Sequence, residues 1–168
     1  GAGSGIGRCT AHELAALGAH VVLVGRTAAK LEAGEAEILE DGGAASHASC
    51  DIRDEVQVKA AVEAVRARFG GIDILINNAS AISLTPTLDT PMKRYDLMHQ
   101  VNVRGTFLCS QKCLPYLLQA GNPHVLNLSP PLNMETRWVE SHVAYTMAKF
   151  GMSMCVLGMA GEFKGKVA

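Results

Sequence analysis

The sequence predicts a doubly wound α/β fold, a mostly parallel sheet with helices on both faces. Three observations predict it. Helical stretches with apolar residues on one face alternate with short, continuously apolar stretches of the kind that parallel strands buried on both sides require. A glycine-rich stretch, GAGSGIG at 1–7, runs straight into a helical one. The 168 residues are 48% apolar and 18% charged, enough for one domain, residues 1–168, with a core of its own.

The elements follow in order. Ile6 to Leu17 reads as a helix closed by Gly18. HVVLVG at 20–25 is a buried strand, and Lys30 to Glu40 is a helix ended by DGG at 41–43. ASHASC at 45–50 is a weaker strand. Glu55 to Phe69 is strongly periodic, with Val58, Val62 and Val65 on one face and two glycines after it. IDILIN at 72–77 is the next strand, followed by a polar loop over 78–90. Pro91 suits the first turn of a long helix reaching about Gln119, bent near Gly105 and Pro115. HVLNLS at 124–129 is a strand, and 130–141 a loop. A last helix runs from about His142 to Phe163, and Val167 and Ala168 begin a further strand. Both ends read as cut, with no strand ahead of Gly1. A chain of this extent alone is expected to fold poorly and to be inactive, because inner sheet edges would lack partners.

Composition excludes several classes of partner. The net charge is −1 and the basic residues are scattered, which argues against nucleic acid and charged membrane surfaces. No apolar run approaches the roughly 20 residues of a spanning helix, so no membrane span is expected. No signal-peptide pattern is present, and an intracellular protein is expected. Cys9, Cys50, Cys109, Cys113 and Cys155 show no CxxC spacing and read as reduced thiols; no metal site is expected.

Glycines spaced as Gly1, Gly5 and Gly7 between a strand and a helix allow a tight turn, close backbone approach to a pyrophosphate and close helix packing. The helix that follows offers its N-terminal N–H groups to the phosphates. A glycine cluster alone can also be a simple turn. The end of the next strand selects the nucleotide. NAD sites place an acid there for the ribose 2′-hydroxyl, whereas here Gly25 leaves room for a 2′-phosphate and Arg26 can pair with it. This favours NADP(H) over NAD(H), against the plainer reading of Arg26 as a solvated charge.

AYTMAKFG at 144–151 places Tyr145 and Lys149 four apart, on one face of a helix. A lysine ammonium nearby lowers a tyrosine pKa and fits the hydroxyl for proton transfer to a carbonyl or from an alcohol. An ordinary amphipathic helix carries such pairs as well.

With the glycine loop, NNAS at 77–80, VNVRGTF at 101–107 and the Tyr–Lys pair in this order, the chain resembles the short-chain dehydrogenase/reductase family along essentially its whole length. The resemblance implies a Rossmann-type, three-layer α/β/α fold. It implies that Gly1, Ser4, Gly5, Ile6 and Gly7 hold the pyrophosphate. Asp51 would contact the adenine with Ile52 beside it, and Asn78 and Ala79 would lie against the cofactor. Tyr145 would be the acid/base, Lys149 would hold the nicotinamide ribose, and Asn102 would anchor a water leading from Lys149 to solvent. The second half (NNASAISLTPTLDTPMKRYDLM, NLSPPLN and the stretch 144–168) resembles one subgroup more closely. That subgroup is associated with peroxisomes, mitochondria and lipid metabolism, and often carries a sterol-carrier domain.

One departure stands out. The family places a catalytic serine just past the fifth strand; here the strand runs NLSPPLN and Pro130 takes that place. Counting back from Tyr145 by the family interval reaches Leu132, so the loop is two residues longer. Adjacent strand residues point oppositely, so Ser129 fills the role only if the prolines redirect it. Asn133 is a second candidate for orienting a carbonyl, and a third reading gives the role to neither.

The function expected is therefore an NADP(H)-dependent oxidoreductase interconverting a carbonyl and a secondary alcohol on a lipid-like or other small substrate. Enoyl-CoA reduction is an alternative chemistry on the same scaffold. A nucleotide-binding or regulatory protein with little turnover is an alternative class, motivated by Pro130. A homo-oligomer through the helices at 91–119 and 142–163 is expected from the same resemblance.

Overall fold

The computed structural model describes residues 1–168, which form two compact units, Gly1–Gly70 and Gly71–Ala168. The first is built from helix α1 (Gly5–Ala16), strand β1 (His20–Gly25), helix α2 (Ala28–Glu40), strand β2 (Ala44–Ser49) and helix α3 (Glu55–Phe69). β1 and β2 are parallel, with Val21 opposite Ala45, Leu23 opposite His47 and Gly25 opposite Ser49. Parallel neighbours need a crossover, which α2 supplies.

The apolar periodicity dictates what each helix buries. Ala11 and Ala15 of α1 and Leu31 and Ile38 of α2 close on Leu23 and Ala45 of the strands, and Leu23, Leu31 and Ile38 are fully buried. In α3, Val58 is buried while Val62 and Val65 are half-buried. Its start is fixed by Asp54, whose Oδ1 accepts from the backbone N–H of Val56 at 2.9 Å and Gln57 at 3.2 Å. Its end is fixed by Gly70 with φ 84°.

The second unit contains strand β3 (Ile74–Asn77), helix α4 (Met92–Met98), a π-helical segment (His99–Gly105), helix α5 (Thr106–Leu117), strand β4 (His124–Asn127) and helix α6 (Val143–Glu162). β3 and β4 are parallel, with Asn77 opposite Asn127. The backbone of Ala168 bonds to β4, its C=O accepting from Val125 N–H at 2.7 Å and its N–H donating to Pro123 O at 3.0 Å. Of the two residues expected to open a further strand, Ala168 makes these bonds, but neither it nor Val167 belongs to a strand. The predicted parallel α/β pattern is met as two strand pairs.

The predicted long helix exists as a continuous path through α4, the π segment and α5. The irregularity extends over His99–Gly105, and Pro115 lies inside α5. α6 crosses this path closely, and Gly151 is the reason it can. A Cβ at Gly151 would stand 2.8 Å from Cγ2 of Val103.

The sequence reading finds no apolar run of spanning length. Helix α6, with 20 residues and a mean hydropathy of 1.3, is long and apolar enough by length and composition. Its inner face carries Lys149 and Ser153, both buried and hydrogen-bonded within the unit.

Candidate active site

In the first unit the predicted cofactor residues gather at the carboxyl ends of β1 and β2. The N–H of Ala2 donates to Val24 O at 3.0 Å, as does the Gly1 nitrogen at 2.7 Å, so the glycine loop lies along the end of β1. Ser4 caps α1 with extended backbone but no side-chain hydrogen bond, and the first turn holds no acid. The leading N–H groups and positive end of α1 are therefore not taken by a side-chain cap. Gly5 has φ 55°, Gly7 is buried in the first turn, and Ile6 is 67% exposed beside it.

The Cys50 N–H donates to Gly25 O at 2.8 Å, extending the ladder past β2. Arg26 and Asp51 consequently leave the sheet side by side. Arg26 is exposed, and its charge helps hold down the Asp51 carboxyl. The larger cause is Arg53. Its Nε donates to both Asp51 oxygens at 3.0 Å and its Nη2 to Oδ2 at 2.5 Å, and together these keep the Asp51 pKa below the usual carboxylate value. Gln57 Oε1 accepts from Asp51 N–H at 2.9 Å. Ile52 is half-buried. Sequence reasoning missed Arg53, although its spacing of two from Asp51 in a tight turn was visible. Arg8, a cation of α1, pairs instead with Glu37.

In the second unit, Asn77 ends β3 buried. Its Nδ2 donates to Ser110 Oγ at 3.1 Å and to Asn127 Oδ1 at 2.8 Å, tying β3 to α5 and β4. Asn78 and Ala79 follow, half-buried. The π segment turns Asn102 fully inward, where its Oδ1 accepts from Ala81 N–H at 2.8 Å and its Nδ2 donates to Ala81 O at 2.9 Å. The Asn102 side chain thus bonds the loop after β3 through one acceptor and one donor.

Tyr145 and Lys149 share the inner face of α6 as predicted. The half-buried Tyr145 packs against the buried cluster of Met98, Ala144 and Ala148. Lys149, 8% exposed, sends Nζ to Leu128 O at 2.6 Å and Met152 Sδ at 3.4 Å. Burial lowers the Lys149 pKa. An ammonium has three donors, so these contacts leave a third N–H uncommitted. Both residues line a cavity of about 380 Å³ walled by Pro130, Pro131, Trp138 and Phe150, with Asn133, His142 and Thr146 as further polar groups.

Ser129 is directed elsewhere. Its Oγ donates to Lys149 O at 2.8 Å and lies 2.7 Å from Ser153 Oγ, which also reaches Pro130 O at 3.0 Å. The serine pins the end of β4 to α6. Asn133 Oδ1 accepts from Glu135 N–H at 2.9 Å in the loop. His142 and Ser153 were not anticipated as members of this region. His142 sits one turn ahead of Thr146 and binds it, Nδ1 to Oγ1 at 2.9 Å.

These features define a chain of the short-chain dehydrogenase family, to which it belongs: the family pattern for short chain dehydrogenases matches residues 1–167. Within the family it is 53% identical over 175 aligned residues to hydroxysteroid dehydrogenase-like protein 2 of Danio rerio, a match that covers all of this chain and 42% of that relative. Among solved structures, a protein from Xanthomonas campestris named as a dehydrogenase superposes with a TM-score of 0.95 at 50% identity, covering 100% of this chain and 65% of the other. A metagenomic short-chain oxidoreductase in complex with NADP superposes with a TM-score of 0.91 at 31% identity, covering 99% and 76%.

Proposed function

We propose that the protein is an NADP(H)-dependent oxidoreductase that interconverts a carbonyl and a secondary alcohol on an apolar, lipid-like substrate. The observation that carries this is the cavity in which Tyr145 and Lys149 are walled by two prolines, Trp138 and Phe150. Proton-transfer groups in an apolar recess suit a substrate with one oxygen function on a hydrocarbon body.

The residues of the first unit fit the cofactor. The uncapped start of α1 suits a pyrophosphate. The end of β1 carries no acid to repel a 2′-phosphate, and Arg26 stands ready to pair with one. The Asp51 carboxylate, held ionised by Arg53, is an acceptor for the adenine amino group. The nicotinamide, when bound, supplies or accepts the hydride at the carbon of the reacting group. Tyr145 gives its hydroxyl proton to the carbonyl oxygen in reduction and takes the alcohol proton in oxidation. Lys149 supplies positive charge and its uncommitted N–H on the same face. Nicotinamide-ribose binding by Lys149 and water anchoring at Asn102 extend this proposal.

A second reading is a nucleotide-binding protein with little turnover, favoured by the commitment of Ser129 to Lys149 O and Ser153. The full-length protein containing this chain separates the two when assayed with NADPH and a panel of apolar ketones. Tyr145→Phe is expected to abolish ketone-dependent NADPH oxidation while NADPH still binds; an unchanged rate, or no turnover to lose, sinks the oxidoreductase reading. Arg26→Ala is expected to weaken NADPH by roughly tenfold or more and leave NADH unchanged, in keeping with a charge-assisted contact worth about 1.5–3 kcal/mol. Equal effects on both cofactors would overturn the NADP(H) preference. We also propose homo-oligomerisation through α6 and the α4–α5 path, where Met147, Met154, Leu157 and Phe107 are each at least half exposed.

A further inference from the structure

We propose that His142 supplies the second hydrogen-bond donor to the substrate oxygen, the task for which this chain has no serine in place. The inference rests on the reading of Tyr145 as the acid/base. A carbonyl oxygen gains negative charge as hydride arrives at its carbon, and a donor aimed at it beside the proton-giving group stabilises that charge.

The serine position is closed as a source of that donor. Pro130 has no N–H, and the Ser129 hydroxyl is spent on Lys149 O. Thr146 is paired with His142, and the N–H that Lys149 does not give to Leu128 O and Met152 Sδ is the one the proposed function assigns to the nicotinamide ribose. Asn133 lines the cavity too, and its Nδ2 is the competing donor; it stands in the loop, its Oδ1 accepting from Glu135 N–H, and not on α6 beside Tyr145. His142 is placed otherwise. It lines the same cavity as Tyr145 and lies three residues ahead of it at the start of α6. The two rings stand edge to face, centroids 6.5 Å apart at 82°.

Thr146 orients the imidazole through Nδ1. With the Thr146 hydroxyl donating, Nδ1 is the acceptor and the neutral ring carries its proton on Nε2. In that tautomer Nε2–H is a donor on a residue of the cavity wall, held by a partner in the first turn of α6. His142 keeps this proton throughout; the proton delivered to the oxygen is that of Tyr145.

The two amide residues discriminate this role, because an asparagine amide reproduces Nδ1 and a glutamine amide reproduces Nε2. In the full-length protein, with NADPH and 1-decalone as the apolar ketone probe, His142→Asn is expected to lose about a hundredfold in kcat, the size of a lost oxyanion donor. His142→Gln is expected to stay within about tenfold of the parent, and NADPH affinity is expected to be unchanged in both. Parental kcat in His142→Asn, with Tyr145→Phe dead, overturns the role of His142 and leaves the proposed function standing. Retained turnover in Tyr145→Phe, or none in the parent, overturns both. A measurement independent of turnover is the ¹⁵N spectrum of the imidazoles, with His142 assigned as the resonance lost in His142→Gln. The Nε2–H tautomer supports the proposal even where His142→Asn fails to fold, and the Nδ1–H tautomer overturns it.

Discussion

The Asp51 carboxylate shows how much a single side chain's neighbours decide. The adenine contact proposed for Asp51 asks it to be an ionised acceptor in a fixed direction, and Arg53 provides both conditions through three side-chain contacts. The Asp51 pKa is lowered on folding. Its contribution to stability is therefore present above the ordinary carboxylate value and is lost as the pH falls through the lowered one. Removing the guanidinium by Arg53→Leu returns Asp51 to ordinary behaviour. The melting temperature of the parent is expected to exceed that of the variant at neutral pH, by an amount worth at most about 1 kcal/mol for so accessible a pair. The gap is expected to close as the pH is taken below about 4. A gap that stays constant from pH 7 to pH 3 would remove Arg53 as the cause. Arg26, Tyr145 and Lys149 were legible as candidates because each belongs to a short local pattern, and Asp51 became one through the family resemblance. The hydrogen bonds of Ser129 to Lys149 O and of Asn102 to Ala81 were not, since their partners lie 20 and 21 residues away.

At the scale of elements, the meeting of α6 with the π segment sets the geometry of the second unit. Asn102 is turned inward to hold Ala81, and Gly151 lets Val103 approach α6. Gly151→Ala tests this contact. The helix gains about 1 kcal/mol of propensity from alanine, while overpacking against a stiff β-branched side chain costs about 1–3 kcal/mol. The variant is expected to be less stable than the parent by denaturant unfolding. In a Val103→Ala background the same substitution is expected to be stabilising, because the obstructing methyl groups are gone. Additive effects of the two substitutions would show that the contact does not limit the packing. The sequence pointed to irregularity at Gly105 and Pro115, but the π segment begins at His99. No residue type announces that start. A π turn is a compromise between the helix and what it must pack against, here α6 and the loop after β3.

At the scale of the whole molecule, the two units divide the chemical features. Gly1–Gly70 holds the glycine loop, Arg26 and Asp51, and Gly71–Ala168 holds Asn102, Tyr145, Lys149 and the cavity. The outer face of α6 remains apolar, with Met154 55% and Leu157 57% exposed. A patch of this kind, on a helix whose inner face is already packed, suits another protein surface. In the full-length protein, Met154→Asp combined with Leu157→Asp is expected to lower the mass measured by light scattering to that of a smaller assembly. An unchanged mass would remove this face as the contact between copies.

Local pattern by itself determined the alternation of helices and strands, the glycine loop and the shared face of Tyr145 and Lys149. Each of these follows from periodicity or spacing within a few residues, which the backbone geometry of a helix or strand converts directly into position. Only the tertiary structure decided where the polar side chains spend their hydrogen bonds. Ser129 was a candidate donor by its place in the sequence and became a brace between β4 and α6 once Lys149 O and Ser153 came within reach. His142 was one of six dispersed histidines until the fold set it in the wall beside Tyr145. A hydroxyl has one proton to give and an imidazole carries its own where its partner leaves room, and those partners exist only when distant segments meet.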